Sequence, residues 1–299
     1  MSPLAALWSN WLFTGMWTIA GGMGAQLMAP ALMVLLSCCT SQLFYGPIFT
    51  YKKYWGMLFR KDLFPHLLML GLFGTALPFT VMFFALKYTT PSNAAILNQV
   101  EIIYSIALSF IFLKEKPTRG QLGGSALVLL GVIFILANEK FSPRWTGDLL
   151  VVATPWMFQV SHIFAKKLPN DLTPVFIAGA RMFFAGVTII PIVLYFAWRG
   201  DLFFINTPKS YLFLFFMGGI YYGASQPLWY MAIRGMDLGK ATGVILSYPI
   251  LTFILSVILG VEKAQWYQVV GLALAFSGAY WISLIIRKAH KQNVEIDTI

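Results

Sequence analysis

A short polar stripe inside an apolar stretch is the first place where this sequence could do chemistry. Asn98, Glu101 and Tyr104 are spaced three residues apart, so they are predicted to share one face of an otherwise apolar helix. An ionised carboxylate in the middle of a membrane span costs about 2.5–3.5 kcal/mol on insertion scales, which predicts that Glu101 faces the protein interior. Glu101 is expected either to contact a ligand or titrate a proton, or to be a structural carboxylate paired with a base.

Arg181 is the natural base for such a pair, because it is the only Arg or Lys deep within an apolar stretch. Its guanidinium group could instead bind a ligand carboxylate through two parallel hydrogen bonds. Trp156, Gln159 and His162 follow at spacings of three, which predicts a second polar face. His162 is expected either to relay protons or to be a hydrogen-bonded core histidine.

Aromatic side chains accompany these polar groups. Tyr222, Gln226 and Trp229, at spacings of four and three, predict an aromatic face that also bears an amide. Such a face suits a zwitterion or a flat apolar group through stacking and cation–π contact. Aromatic residues form 16% of the chain, so many must instead serve lipid-facing packing or interfacial belts. The predicted cavity lining is Glu101, Tyr248, Trp17, Trp156 and Trp229.

The composition indicates what positions these residues. The chain has 299 residues, of which 59% are hydrophobic and only 11% charged, and this excludes a water-soluble fold. A bilayer core needs about 20 apolar residues per helix. The sequence therefore predicts an all-α integral membrane protein of ten transmembrane helices, surrounded by the lipid bilayer. The predicted spans are 4–24, 29–50, 64–86, 93–113, 120–137, 147–165, 173–198, 211–232, 241–260 and 266–286.

The basic residues predict the orientation of these spans. The net charge is +10, and the Lys and Arg residues lie mainly in short connections, so they indicate topology rather than a nucleic-acid partner. With the amino terminus inside, the inner connections hold a roughly two-to-one excess of basic residues. Both termini are predicted to be cytoplasmic, with a tail at 288–299, in a bacterial inner membrane. Residues 2–25 contain no Lys or Arg, which favours a first span over a signal peptide.

An internal repeat divides the chain into two halves. A shift of 147 residues aligns 85–131 with 232–278 without a gap and gives about a dozen identities, including Glu115 with Glu262. Tyr248 takes the repeat position of Glu101. Because five helices are an odd number, the second copy is expected to be inverted, as in many carriers. The predicted repeats are 1–139 and 146–287.

Two stretches resemble a known family. "FFALKYTTPSNAAILNQVEIIYSIALSFIFLKEKPTRGQLGGSALVLLGVIFIL" and "GDLLVVATPWMFQVSHIFAKKL" are similar to sequences of the drug/metabolite transporter superfamily, in particular its ten-helix EamA-like members. The resemblance implies a central cavity lined from both halves and the movement of small metabolites, such as amino acids, out of the cell.

The chain departs from the pattern of this family in its first half. Pro174 and Arg181 match a family spacing, whereas Pro30 is followed at that spacing by Ser37. Glu101 also lacks the Pro that often follows it in the family. The first half is therefore expected to bind a ligand or to move in a different way from the family pattern.

The function predicted from the sequence is a secondary carrier, an exporter of small metabolites that is coupled to protons through Glu101. The alternatives are an uncoupled facilitator and, from another class, a receptor or scaffold, which would not explain the repeat.

The sequence lacks an enzyme's catalytic motif and a phosphate-binding loop. Cys38 and Cys39 are adjacent, which fits neither a disulfide framework nor a metal site. No cofactor or metal is expected. Because both halves lie in one chain, a functional monomer is predicted.

Overall fold

The fold is known from a computed structural model, which describes residues 1–89, 94, 97–138, 145–259 and 265–297. Across these residues the chain is almost entirely helical. The helical segments are α1 (Pro3–Leu27), α2 (Pro30–Tyr51), α3 (Phe64–Ala85), α4 (Asn98–Leu113), α5 (Arg119–Asn138), α6 (Trp145–Lys166), α7 (Pro174–Trp198), α8 (208–234), α9 (238–258) and α10 (Trp266–Asp297).

Proline and hydroxyl residues set where several helices begin. Ser2 accepts a hydrogen bond from the backbone of Ala5 at the start of α1, and Thr173 caps α7 in the same way. Each cap is followed by a proline, whose fixed φ and missing N–H suit the first helical position. The α4 helix ends at Lys114, which adopts a left-handed conformation with φ 58°.

The predicted spans coincide with these segments, with shifts at their ends. The prediction placed the last span at 266–286, whereas α10 continues to Asp297 and includes most of the predicted tail. The sequence after Gly278 contains neither Gly nor Pro, so nothing local ends the helix there. The predicted start of the fourth span, at residue 93, lies outside the described residues.

Among the residues that the structure describes, six segments are long and apolar enough to cross a membrane: Pro30–Tyr51, Phe64–Ala85, Trp145–Lys166, Pro174–Trp198, Leu238–Leu255 and Val269–Ile286. This observation agrees with the prediction of a multi-pass membrane protein, while ten crossings remain a prediction.

Several segments are interrupted near their middle. α3 contains a π-helical turn at Leu72–Ala76, and α8 contains a longer one at Phe215–Ser225. Residues 219–223, which lie 147 residues after the first π turn, fall inside the second. α9 breaks between Ile245 and Pro249. Such breaks place irregular backbone inside the bundle, where neighbouring protein groups can satisfy it.

Helices in corresponding positions of the two halves pack against each other: α2 contacts α7, α4 contacts α9, and α5 contacts α10. α1 packs on α8 and α9, while α6, the first helix of the second half, packs on α3 and α4. The first helix of each half is therefore inserted into the other half. Residues from both halves consequently meet at the centre.

Glycines allow the closest of these approaches, where α5 crosses α10. A Cβ atom at Gly124 would lie 2.9 Å from the carbonyl oxygen of Gly278, and one at Gly131 would overlap the carbonyl oxygen of Gly271. Residue numbers rise along α5 as they fall along α10, so the two helices are antiparallel at this crossing. Small residues let the backbones touch here, as they do at many membrane helix interfaces.

Candidate functional site

A cavity at the centre of the bundle is lined by residues from both halves. Its volume is about 80 Å³. This volume is smaller than the about 300–1,000 Å³ of typical small-molecule pockets. The lining residues of this central cavity are Asn10, Thr14, Trp17, Phe79, Asn98, Glu101, Phe158, His162, Arg181, Tyr221, Gln226, Trp229, Ile245, Leu246 and Tyr248.

One wall of the central cavity holds the carboxylate of Glu101, at the start of the regular part of α4. The side chain is 8% exposed. One oxygen accepts a hydrogen bond from Gln159 Nε2 at 2.7 Å, and the other accepts from Asn98 Nδ2 at 3.3 Å. Both donors are neutral amides. Within the described ranges, no Lys or Arg forms an ion pair with this carboxylate.

Arg181 also lines this cavity, from the first half of α7, and is only 2% exposed. Its Nε donates to Thr75 Oγ1 at 2.8 Å, and Nη1 donates to Gln226 Oε1 at 2.8 Å and to Tyr230 Oη at 3.3 Å. Nη2 donates to the backbone oxygen of Gly74, which lies in the π turn of α3. All of these acceptors are neutral.

The expected alternative of a Glu101–Arg181 ion pair is therefore wrong for this structure. The physical reason is that neutral groups from α3 and α8 already surround the guanidinium, while two amides hold the carboxylate. A buried charge without an ionic partner is costly and persists only where hydrogen bonds or a ligand stabilise it. The central cavity is thus lined by one buried acid and one buried base that form no ion pair with each other.

Gly74 has no side chain, and this leaves space for the guanidinium group of Arg181. A Cβ atom there would lie 2.8 Å from Arg181 Nε and would also overlap Ser161 Oγ. We expect Gly74→Ala to displace the guanidinium group and to destabilise the protein by about 1–3 kcal/mol, as overpacking typically does. The thermal midpoint in detergent measures this effect.

Gly46→Ala is the matched control for this substitution, because a Cβ atom at Gly46 would meet nothing within 4 Å. In the interior of α2, Ala should be neutral or slightly stabilising. Equal midpoints for the two variants would contradict the close packing around residue 74.

Two buried polar atoms at the central cavity are available to a ligand or water. Neither His162 Nδ1 nor Asn98 Oδ1 has a hydrogen-bond partner among the described residues. Leaving such an atom unsatisfied costs about 1–3 kcal/mol, so each favours a bound polar group. The ring centroids of His162 and Trp229 lie 5.0 Å apart. Whether His162 relays protons stays a prediction.

Most of the residues singled out in the sequence do meet at this cavity. Trp17 lines it and stacks on Tyr221, with ring centroids 6.3 Å apart. Trp229, Gln226 and Tyr248 also line it. Gln159 is fully buried behind Glu101 and reaches the site through its hydrogen bond. Their roles in binding stay predictions.

Three of the predicted residues lie elsewhere. Trp156 is 38% exposed and packs on Phe73, and Tyr104 is half-buried outside the lining. Two steps of three residues turn a helix about 120° away from its starting face, so neither stripe of three could keep all its members on the cavity. Tyr222 is fully buried behind the lining because the π segment of α8 shifts the helical period there, and Tyr221 takes its place.

Several lining residues were not predicted from the sequence. Asn10 and Thr14 share a face of α1 with Trp17, at spacings of four and three, and this pattern could have revealed them. Phe79 and Phe158 gave no comparable indication, because they lie in stretches rich in Phe.

An ion pair joins three segments at the end of the bundle where α6 ends and α9 begins. Glu115, between α4 and α5, accepts from Lys166 Nζ with one oxygen and from the backbone of Leu238 with the other, at 2.8 Å. Lys166 Nζ also donates to the backbone oxygen of Met236 at 2.8 Å. We call Glu115, Lys166, Met236 and Leu238 the Glu115 latch. Its charged side chains are 15% and 16% exposed.

Comparison with known proteins places the chain in a family. The model of the EamA-like transporter family matches residues 4–137 and 145–284, and so covers both halves. A protein of Archaeoglobus fulgidus named an uncharacterized transporter is 24% identical over 72% of this chain and 74% of its own length. YyaM of Bacillus subtilis, also named an uncharacterized transporter, is 23% identical over 76% of this chain and 75% of its own length.

A solved structure has the same fold, with a TM-score of 0.75 over 96% of this chain and 98% of its own, at 16% identity. The apolar helices, the fold and the family matches together give the assignment: the chain belongs to the EamA-like transporter family and is a multi-pass membrane transporter.

Proposed function

We propose that the protein is a secondary carrier that exports small zwitterionic metabolites, such as amino acids, in exchange for protons bound at Glu101. The observation that supports this most is the pair of buried groups facing one central cavity, each without an ionic partner among the described residues. A zwitterion would bring a carboxylate to Arg181 and an ammonium group to Glu101. Either substrate group would neutralise a charge that the protein leaves unneutralised.

The hydrogen bonds of Arg181 leave room for such a ligand. A guanidinium group has five N–H donors, and four hydrogen bonds to the protein occupy four of them. The remaining donor and the full positive charge are available to a carboxylate. Trp17, Tyr221 and Trp229 would pack against the rest of a small organic molecule.

Glu101 is suited to exchange a proton for a substrate. Its amide donors, Asn98 and Gln159, can stabilise the carboxylate, and neither carries a charge that would hold it ionised. An arriving ammonium group would favour the charged form and release the proton. Binding of substrate and binding of a proton would then be alternatives at one group, which is the requirement for exchange.

The glycine crossing of α5 and α10 supports an inverted duplication. The repeat equates Gly124 with Gly271 and Gly131 with Gly278, and the contacts join Gly124 to Gly278 and Gly131 to Gly271. A contact that maps onto itself when the copies are exchanged is typical of a twofold axis. Because the two helices are antiparallel, the axis would lie in the membrane plane, and the halves could open alternately to either side. We further propose cytoplasmic termini, a bacterial inner membrane and a functional monomer.

Proton coupling is testable by comparing flux with and without a pH gradient. Proteoliposomes containing the native protein are offered a panel of amino acids and related metabolites. We expect gradient-stimulated flux that Glu101→Gln abolishes, because the amide cannot exchange a proton. Asp62→Asn is the control, since its carboxylate is exposed and pairs with Arg60 outside the cavity.

Each alternative function would give a different result in this assay. Flux that ignores the gradient in both proteins would favour an uncoupled facilitator. No flux of any solute through folded protein would favour a receptor or scaffold.

A further inference from the structure

A second cavity, larger than the central one, opens at the edge of the bundle. Its volume is about 580 Å³, and it lies where α2 and α6 begin and where α3 and α7 end. We call it the peripheral crevice and define it by six of its lining residues. These are Val81, Lys87, Leu150, Phe196, Arg199 and Phe203.

The peripheral crevice has two chemically distinct ends. Lys87 and Arg199 lie just beyond the last turns of α3 and α7, and both are exposed. Val81, Leu150 and Phe196 lie within the apolar segments and form the deeper wall. Basic residues at the ends of membrane helices lie at the level of the lipid headgroups, while the apolar residues lie beside the acyl chains.

Backbone contacts hold the rim of the crevice in place. The connection after α7 is joined to the α1–α2 connection, where Ala29 N donates to Phe203 O at 3.0 Å and Ile205 N donates to Leu27 O at 2.8 Å. The Lys87 ammonium group lies over the Phe203 ring, 5.2 Å from its centroid. Lys87 is therefore positioned by a structured loop.

Arg199 keeps donors free for a ligand. Its contact with Asp201 runs through Nε at 3.6 Å, which leaves the two terminal nitrogens of the guanidinium group for a phosphate. With two basic residues and one acid, the rim has a net positive charge. An anion that also has an apolar chain would satisfy both ends of the crevice.

We propose that the peripheral crevice binds one anionic phospholipid, with its phosphate on Lys87 and Arg199 and an acyl chain against Val81, Leu150 and Phe196. The surrounding bilayer supplies this ligand. An ammonium and a guanidinium group together suit the phosphate of a lipid headgroup. A free phosphate would leave the apolar wall of the crevice empty, which is why we choose the lipid.

Lipid binding is measured on the purified full chain in detergent by native mass spectrometry. The probes are phosphatidylglycerol and phosphatidylcholine with identical acyl chains. We expect the native protein to prefer phosphatidylglycerol, and Lys87→Gln combined with Arg199→Gln to weaken its binding by roughly 25-fold, at about fivefold per basic residue. Lys209→Gln, at an exposed basic residue outside the crevice, is the matched control.

Two further variants test the crevice itself. Leu150→Trp should fill its apolar part and weaken both lipids, whereas Leu212→Trp, on an exposed part of α8 outside the crevice, should not. Asp201→Asn should strengthen phosphatidylglycerol binding, because it removes the acid at the rim.

Equal affinity of the double variant and the native protein for phosphatidylglycerol would overturn the proposal. So would equal binding of the two lipids by the native protein. Displacement of the lipid by inorganic phosphate at the same concentration would show a site for free anions instead.

Discussion

Arg181→Lys is expected to weaken substrate binding and flux by about 10- to 150-fold, because the one guanidinium donor left for the substrate carboxylate would be lost and a hydrogen bond to a charged group contributes about 1.5–3 kcal/mol. The guanidinium group spans the backbone of Gly74, Thr75 and Gln226 at once. A single ammonium group cannot occupy that geometry. The dissociation constant of a transported solute and its flux measure the effect. Arg60→Lys is the control, because Arg60 is exposed and pairs only with its neighbour Asp62.

A loss of function in Arg181→Lys could reflect damage to the fold, so Gln226→Glu is the sharper variant. It keeps the shape of the Gln226 side chain and places a carboxylate where Arg181 Nη1 already donates at 2.8 Å. We expect the thermal midpoint to be maintained or raised, since a new ion pair replaces a neutral hydrogen bond. Substrate binding should nevertheless be lost, because the charge that attracts the substrate carboxylate is neutralised within the protein. Undiminished binding in a stable Gln226→Glu protein would contradict the role of Arg181.

Glu115→Gln is expected to open the side of the bundle that the Glu115 latch closes. Removing one partner of this partly buried ion pair should cost about 1–3 kcal/mol, because the other charge is left without its partner. Lys166 would keep its charge and only its bond to the backbone of Met236. The first turn of α9 would also lose a charged acceptor for the Leu238 N–H. A shift of this size would raise the population of the open state by about 5- to 150-fold.

Thiol labelling of the central cavity measures this opening. Ile245→Cys places a thiol in the cavity lining, in a background in which Cys38 and Cys39 are replaced by Ser. A membrane-impermeant maleimide should label this thiol faster in Glu115→Gln than in the native sequence, and only from the side of the latch. Asp62→Asn breaks an exposed ion pair and should leave the rate unchanged. Equal labelling from both sides in all variants would rule out a gating role for the latch.

Helix positions were predictable because membrane spans are apolar stretches and prolines often mark where they begin. Residues on the central cavity were less predictable, since a fixed spacing of three drifts around a helix. Trp156 and Tyr104 lie at the ends of such spacings, and neither lines the cavity. In the π segment of α8, Tyr221 lines the cavity and Tyr222 does not. No local pattern in the sequence predicts this change in the helical period.

The partner of Arg181 was the least predictable feature. Its positive charge predicted an ion pair with Glu101. In the structure, the guanidinium group instead donates to backbone and amide oxygens from two other helices. A backbone oxygen has no sequence pattern of its own, and only Gly74 gives an indirect indication, through the space it leaves.

The glycine crossing also constrains how the two copies can diverge. A methyl group at Gly124 would strike the backbone of Gly278 in the other copy, and one at Gly131 would strike that of Gly271. A backbone cannot be substituted away, so no second mutation in the partner helix could compensate. Gly124, Gly131 and Gly278 can therefore be substituted only if the spacing of the two helices changes as well. Arg181 and Ser37, which take corresponding places after Pro174 and Pro30, lie away from this contact, so a difference between them leaves the glycine crossing intact.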